Sequence, residues 1–66
     1  MEQTNDEFTT LTLLSERATP AQFNSFLTLV TTESLYRCMN KLVEREDYEA
    51  ATFYRDELIR RGELSN

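Results

Sequence analysis

A chain of 66 residues with twelve acidic and seven basic side chains, and a net charge of −5, has room for one small domain. That charge repels phosphate backbones and anionic lipid surfaces, which argues against nucleic acid or a membrane as the partner. The sequence contains no histidine and only one glycine. It therefore lacks the commonest general base and any glycine-rich phosphate loop, and we expect no enzymatic activity. No apolar run approaches the ~18 residues of a membrane span.

A lone cysteine and a short acidic run are the remaining candidates for chemistry. Cys38 has no second cysteine to bond and no histidine to activate it, so we expect a packed thiol. No signal-peptide pattern opens the sequence, and we expect a cytoplasmic protein. The acids Glu44, Glu46, Asp47 and Glu49 straddle a tight turn without the glycine that a calcium loop uses. We therefore predict neither a metal nor a cofactor.

The N-terminal part of the chain predicts one short helix after a polar tail. Residues 1–7 are polar and expected to be disordered. Phe8, Leu11 and Leu14 then recur at helical spacing, with Asn5 or Asp6 as the cap. The threonines nearby favour a strand as the alternative, because β-branched side chains restrict χ1 in a helix.

A second helix, from about residue 20 to about residue 31, has a clear start signal. Thr19, Pro20 and Gln22 form the pattern of a capping box with proline at the first helical position. An apolar stripe follows at i, i+3, i+4 and i+7: Phe23, Phe26, Leu27 and Val30. We predict that Phe23 and Phe26 pack in the core together with Tyr54.

The C-terminal half predicts two helices that fold back on each other. The first runs from about 33 to about 45 after a cap at Thr31–Glu33, with an apolar stripe of Leu35, Tyr36, Met39, Leu42 and Val43. A turn at 45–47 is too short for anything but an antiparallel pairing. Asp47 caps the last helix, whose stripe is Ala50, Ala51, Tyr54 and Leu58, and Gly62 ends it.

Charged pairs with i, i+4 spacing lie along these helices. They are Glu33–Arg37, Asp56–Arg60 and Glu57–Arg61. Each is worth about 0.3 kcal/mol on an exposed helix. We interpret all three as features of a solvated surface.

The stretch from Glu44 to Leu58 resembles the UVR motif, a short helical hairpin found in the excinuclease subunits UvrB and UvrC and in ClpC adaptor proteins. The resemblance rests on Tyr48 after an acidic turn, on Glu49-Ala50-Ala51 at the start of the second helix, and on Arg55-Asp56-Glu57-Leu58 at its close. With the preceding helix it covers residues 33–61.

The resemblance implies a partner, because hairpins of this family pair with another hairpin to complete a four-helix arrangement. The residues proposed to bind the partner are Tyr48, Ala51, Tyr54, Arg55, Asp56 and Leu58. Small alanines let the helices approach closely, and Tyr48 is expected to cover the end of the hairpin core. Arg55 and Asp56 point about 100° apart, which suits contacts with the opposite helix or a partner rather than with each other.

These observations together predict a single all-α domain of three to four helices with a C-terminal antiparallel helical hairpin. The expected function is a non-catalytic protein–protein interaction module, a regulator or adaptor, whose partner is a UVR-bearing or Clp-type protein or a second copy of the chain. The alternative is an acidic phage-type inhibitor or nucleic-acid mimic that blocks a host protein. The sequence leaves open whether residues 8–31 cover the apolar face of the hairpin.

Overall fold

The computed structural model describes residues 7–65, and within that range the chain forms four helices and no strand. They are α1 (Glu7–Arg17), α2 (Pro20–Leu27), α3 (Thr32–Glu44) and α4 (Tyr48–Arg60). The all-α prediction with a C-terminal hairpin is therefore confirmed. The predicted tail, apart from Glu7, and the proposed caps Asn5 and Asp6 lie outside the described residues.

Helix α1 begins one residue before the predicted start and extends to Arg17, so the strand alternative for this segment is wrong. Its β-branched and hydroxylated residues are accommodated by bonds to the helix backbone. The Thr12 hydroxyl donates to the Phe8 carbonyl at 2.8 Å, and the Ser15 hydroxyl donates to the Thr12 carbonyl at 2.7 Å. Phe8 and Leu11 are buried, as their spacing predicts.

Helix α2 starts as predicted but ends at Leu27, four residues early. Both halves of the capping box form, since Gln22 N–H donates to Thr19 Oγ1 and Thr19 N–H donates to Gln22 Oε1. The N–H groups of residues 28, 29 and 30 bond to carbonyls three residues back, which tightens the chain into a 3₁₀-type turn. Phe26 lies at the edge of this short helix and stays 41% exposed, so its predicted place in the core is wrong.

Helices α3 and α4 close with the same backbone motif at their C-termini. The N–H of Asp47 donates to Leu42 O, and the N–H of Glu63 donates to Leu58 O, both at 2.9 Å. This Schellman arrangement needs a left-handed residue just past each helix. Gly62 supplies it after α4 with a φ of 81°, as predicted, whereas Glu46 takes a φ of 62° after α3. The short turn then places Asp47 to cap α4.

The core forms where α1 and α2 lie over one face of the α3–α4 hairpin. Phe23 is at its centre, with edge-to-face ring contacts to Phe53 at 5.5 Å and to Tyr54 at 5.9 Å. The cluster of buried side chains draws on all four helices: Phe8, Leu11, Phe23, Leu27, Leu35, Cys38, Leu42, Ala51, Tyr54 and Leu58. Residues 8–31 therefore do cover an apolar face of the hairpin.

Ala51 is buried in the core, and its small side chain allows the helices to pack closely there. We predict that Ala51→Leu overpacks the site and lowers the free energy of unfolding by about 1–3 kcal/mol. Ala21→Leu on the exposed side of α2 is the matched control and should change it by less than about 0.5 kcal/mol. Urea denaturation measures both, and equal stabilities of the two variants would contradict this packing.

Candidate functional site

The last turn of α4 holds a buried ion pair that joins the hairpin to the N-terminal helices. The Glu57 side chain is only 7% exposed and the Arg61 side chain 18%. Arg61 Nε donates to Glu57 Oε2 at 2.8 Å, and Arg60 Nε donates to Glu57 Oε1 at 3.0 Å. The prediction that the Glu57–Arg61 pair is a solvated-surface feature is therefore wrong. The i, i+4 spacing predicted that Arg60 pairs with Asp56, and this is wrong. Arg60 pairs with Glu57, three residues before it.

Arg61 extends from α4 across to the end of α2 and the start of α3. Its guanidinium donates to the carbonyls of Leu27 at 2.9 Å and Val30 at 2.6 Å, and to Thr32 Oγ1 at 3.1 Å. The Leu27 carbonyl already accepts the Val30 N–H, and the guanidinium adds a charge-assisted bond to it. The guanidinium also satisfies the Val30 carbonyl, which lies beyond the helix end. The early end of α2 and the beginning of α3 are thus held by one side chain.

The electrostatics of this cluster favour the ionised carboxylate. Hydrogen bonds from Arg60, and then from Arg61, lower the pKa of Glu57 below its ordinary value, although burial acts in the opposite direction. The hydrogen bond to Glu57 in turn raises the pKa of Arg60. The lowered pKa keeps the Glu57 carboxylate ionised at neutral pH, in contact with both guanidinium groups.

Three of the six proposed partner-binding residues lie in the core. Ala51, Tyr54 and Leu58 are buried beneath α1 and α2. Burial, with smaller contributions from Cys38 and Glu7, raises the pKa of the Tyr54 hydroxyl far above its usual range. These three side chains hold the hairpin together and present no surface to a second protein in this conformation.

The other three proposed residues, Tyr48, Arg55 and Asp56, lie on the solvent side of α4. Tyr48 is 61% exposed, so the expectation that it covers the end of the hairpin core is wrong. Arg55 and Asp56 pair with each other, with Arg55 Nη2 at 3.5 Å from Asp56 Oδ1, and not with the opposite helix as expected. Long side chains at the surface bend toward each other despite the divergence of their Cα–Cβ bonds.

The hairpin has a second face, opposite the one that α1 and α2 cover. On α3, Lys41 contacts the Phe8 ring of α1, and on α4, Phe53 contacts Phe23 of α2. Successive residues are 100° apart around a helix, so the residues about 180° from Lys41 on α3 and from Phe53 on α4 can be identified. In an antiparallel pair these residues lie on the same side of the hairpin. We call this side the open face, and it consists of Tyr36, Met39, Val43, Tyr48, Thr52, Arg55 and Ile59.

The open face is apolar and accessible. Val43 and Tyr48 count among the large exposed hydrophobic side chains, while Tyr36, Met39 and Ile59 are half-buried. The Tyr36 hydroxyl donates to Glu63 O at 2.8 Å and ties α3 to the segment after α4. The sequence places Tyr36, Met39 and Val43 on the apolar stripe of α3. Tyr36 and Met39 also pack against the core cluster from this side, whereas Val43 is 44% exposed.

A groove of about 580 Å³ lies between α2 and α4, beside the open face. Its walls are Asn24, Ser25 and Thr28 on α2 and Glu49, Thr52, Phe53, Asp56, Glu57 and Arg60 on α4. Thr52 and Asp56 stand on the boundary between the groove and the solvent side of α4. The sequence does not predict this lining, because the lining depends on how α2 packs against α4.

Among residues 7–65, no group of three or more cysteine, aspartate or glutamate side chains is arranged to hold a metal ion. In the same range, every helix is too short or too polar to cross a lipid bilayer. Cys38 is buried in the core, which confirms the packed thiol expected from the sequence.

The fold and this surface define a small helical protein built on a closed antiparallel hairpin, with one face covered and one face open. Residues 32–60 match the family model described as the UvrB/uvrC motif, the UVR motif. The α3–α4 hairpin therefore matches the UVR motif, as the resemblance indicated. No curated protein and no solved structure matches the chain.

Replacing Arg61 tests the link between α4 and the end of α2. We expect Arg61→Lys to lower the free energy of unfolding by about 2–3 kcal/mol, because a single ammonium group cannot reproduce the planar fork of donors. Urea denaturation measures this loss. The control Arg55→Lys alters an exposed pair and should cost less than about 0.5 kcal/mol. Equal effects of the two substitutions would contradict the role of Arg61.

Glu57 predicts a dependence of stability on pH. The pKa of the Glu57 carboxyl is lower in the folded protein than in the unfolded chain, so the carboxylate stabilises the fold fully at pH values above the unfolded-state pKa. This contribution is lost as the pH falls through the folded-state pKa. The difference in unfolding free energy between the wild type and Glu57→Gln should therefore be largest at neutral pH and shrink below about pH 4.5. Denaturation curves at several pH values measure it. Glu33→Gln, which alters an exposed pair, should show little difference at any pH.

Proposed function

We propose that this protein is a non-catalytic protein–protein interaction module, a regulator or adaptor that binds its partner through the open face of its UVR hairpin. The observation that carries the proposal is the exposed apolar surface on a segment that matches the UVR motif. Clustered apolar side chains with Tyr48 and Arg55 at the margin are typical of protein interfaces, in which tyrosine and arginine supply much of the binding energy.

Because α1 and α2 cover one face of the hairpin, a partner has only the open face to bind in this conformation. Ala51, Tyr54 and Leu58 are accessible only if α1 and α2 leave the hairpin, which would expose most of the core. Pairing through the open face needs no such change. The partner in this proposal is another helical hairpin, on a UVR-bearing or Clp-type protein that the chain meets in the cytoplasm. A homodimer through the same open face is the second form of the proposal.

The acidic inhibitor or nucleic-acid mimic is the competing function. A mimic displays carboxylates in a phosphate-like row, whereas the acids of this chain alternate with arginines and several are paired, such as Glu33 with Arg37. Charge-driven binding weakens steeply as salt rises, and binding through an apolar face does not. Salt dependence of partner binding therefore separates the two functions.

Binding to the purified UVR-bearing subunits UvrB and UvrC, and to a ClpC-type protein, tests the proposal directly. We expect one of them to bind, and Tyr48→Ala to raise the Kd about tenfold or more, as loss of an interfacial tyrosine commonly does. Biolayer interferometry measures the Kd, and sedimentation equilibrium over a wide concentration range measures self-association.

Leu29→Ala is the matched control, because Leu29 is 83% exposed and lies outside the hairpin. It should leave the Kd unchanged within about twofold. Equal losses for the two variants, or binding that vanishes with moderate salt, would rule out the open face as the interface. A chain that remains a monomer and binds none of the three proteins would count against the proposed function as a whole.

A further inference from the structure

The groove between α2 and α4 has an aromatic floor. Phe53 is half-buried and held in place by its edge-to-face contact with Phe23 at 5.5 Å, at an interplanar angle of 82°. Its ring also lines the groove, whose volume falls in the range of about 300–1,000 Å³ that is usual for ligand sites. The face of an aromatic ring attracts a cation placed above it.

The charges around this floor are predominantly negative. Glu57 pairs with both Arg60 and Arg61, so this end of the groove carries no excess of negative charge. Glu49 and Asp56 remain, and both lie on the exposed side of α4. Within residues 7–65 the Glu49 carboxylate has no ion-pair partner, and Asp56 has only the solvated contact with Arg55. The side chains that line the groove include three carboxylates and one arginine, so the lining as a whole carries a net negative charge.

The hydroxyl groups in the walls are oriented as acceptors. Thr28 donates its hydroxyl proton to Ser25 O at 2.6 Å, and Thr52 donates its own to Tyr48 O at 2.9 Å. Each hydroxyl has a single proton, so both oxygens can only accept a further hydrogen bond from the groove. Acceptors on both walls and an aromatic floor favour an occupant that is cationic and rich in donors.

We propose that this groove binds an arginine side chain of the partner protein, with the guanidinium over the Phe53 ring and its N–H groups directed to Glu49 and Asp56. Arginine fits better than lysine, because its planar group stacks on a ring while five donors remain at its edge. This inference rests on the proposed function, since it supplies a specific contact for a partner docked beside the open face.

A model peptide tests the groove without knowledge of the partner. The probe is N-acetyl-Gly-Arg-Gly-amide, titrated into the ¹⁵N-labelled full chain by NMR, and the control peptide carries citrulline, which has the same shape but no charge. We expect the arginine peptide to shift amides of residues 24–28 and 49–60. The citrulline peptide should bind at least about fivefold more weakly.

Variants that remove the carboxylates of the groove test whether the peptide binds there. Glu49→Gln/Asp56→Asn should raise the Kd of the arginine peptide about tenfold, because it removes both carboxylates from the site. Both positions are exposed, so we expect the variant to keep the fold. Glu16→Gln/Glu33→Gln makes the same change in net charge away from the groove and should alter the Kd by less than about twofold. Phe53→Leu should also weaken binding, and the carboxylate variants test the site even if this one is unstable.

Each outcome has a definite meaning. Equal binding of both peptides, equal effects of the two double variants, or shifts confined to the acidic turn at 44–47 would overturn the inference. If the arginine peptide leaves the groove unchanged while Tyr48→Ala abolishes partner binding, the inference fails and the proposed function stands. If the peptide binds the groove but none of the candidate proteins binds the chain, the inference stands and the proposed function fails.

Discussion

The buried guanidinium of Arg61 is the interaction on which the arrangement of α2, α3 and α4 depends. It binds Glu57 on its own helix and, at the same time, the carbonyls of Leu27 and Val30 and the hydroxyl of Thr32. A buried charge is costly unless it is fully paired, so the end of α2, the start of α3 and the last turn of α4 are held in one relative position. The hydrophobic core alone is non-directional and would not impose it.

This link explains how a short UVR hairpin becomes a closed domain. An isolated pair of helices would leave its inner face in water, and α1 and α2 cover that face with Phe8, Leu11, Phe23 and Leu27. The chain thus supplies its own second pair of helices where a hairpin would otherwise need a partner. As a result, one face of the hairpin packs in the core and the other keeps Val43 and Tyr48 exposed.

The candidate site was only partly predictable. Tyr48, Arg55 and Asp56 were identified from their positions in the motif, and the structure places all three on the solvent side of α4. Ala51, Tyr54 and Leu58 came from the same motif, but they are apolar or aromatic positions on the inward stripe, and α1 and α2 bury them. Motif membership does not distinguish a side chain that packs within the hairpin from one that meets a partner. The other members of the open face and the groove required knowledge of which flank each helix turns outward.

What the sequence by itself determined is local. The capping box at Thr19, the cap at Asp47, the stop at Gly62 and the apolar spacing of α3 and α4 each depend on atoms within a few residues, and each formed as predicted. The end of α2, the exposure of Phe26 and the burial of the Glu57–Arg61 pair were decided only by the tertiary structure. They depend on contacts between residues about thirty positions apart, such as Arg61 with Val30, which no periodicity in the sequence encodes.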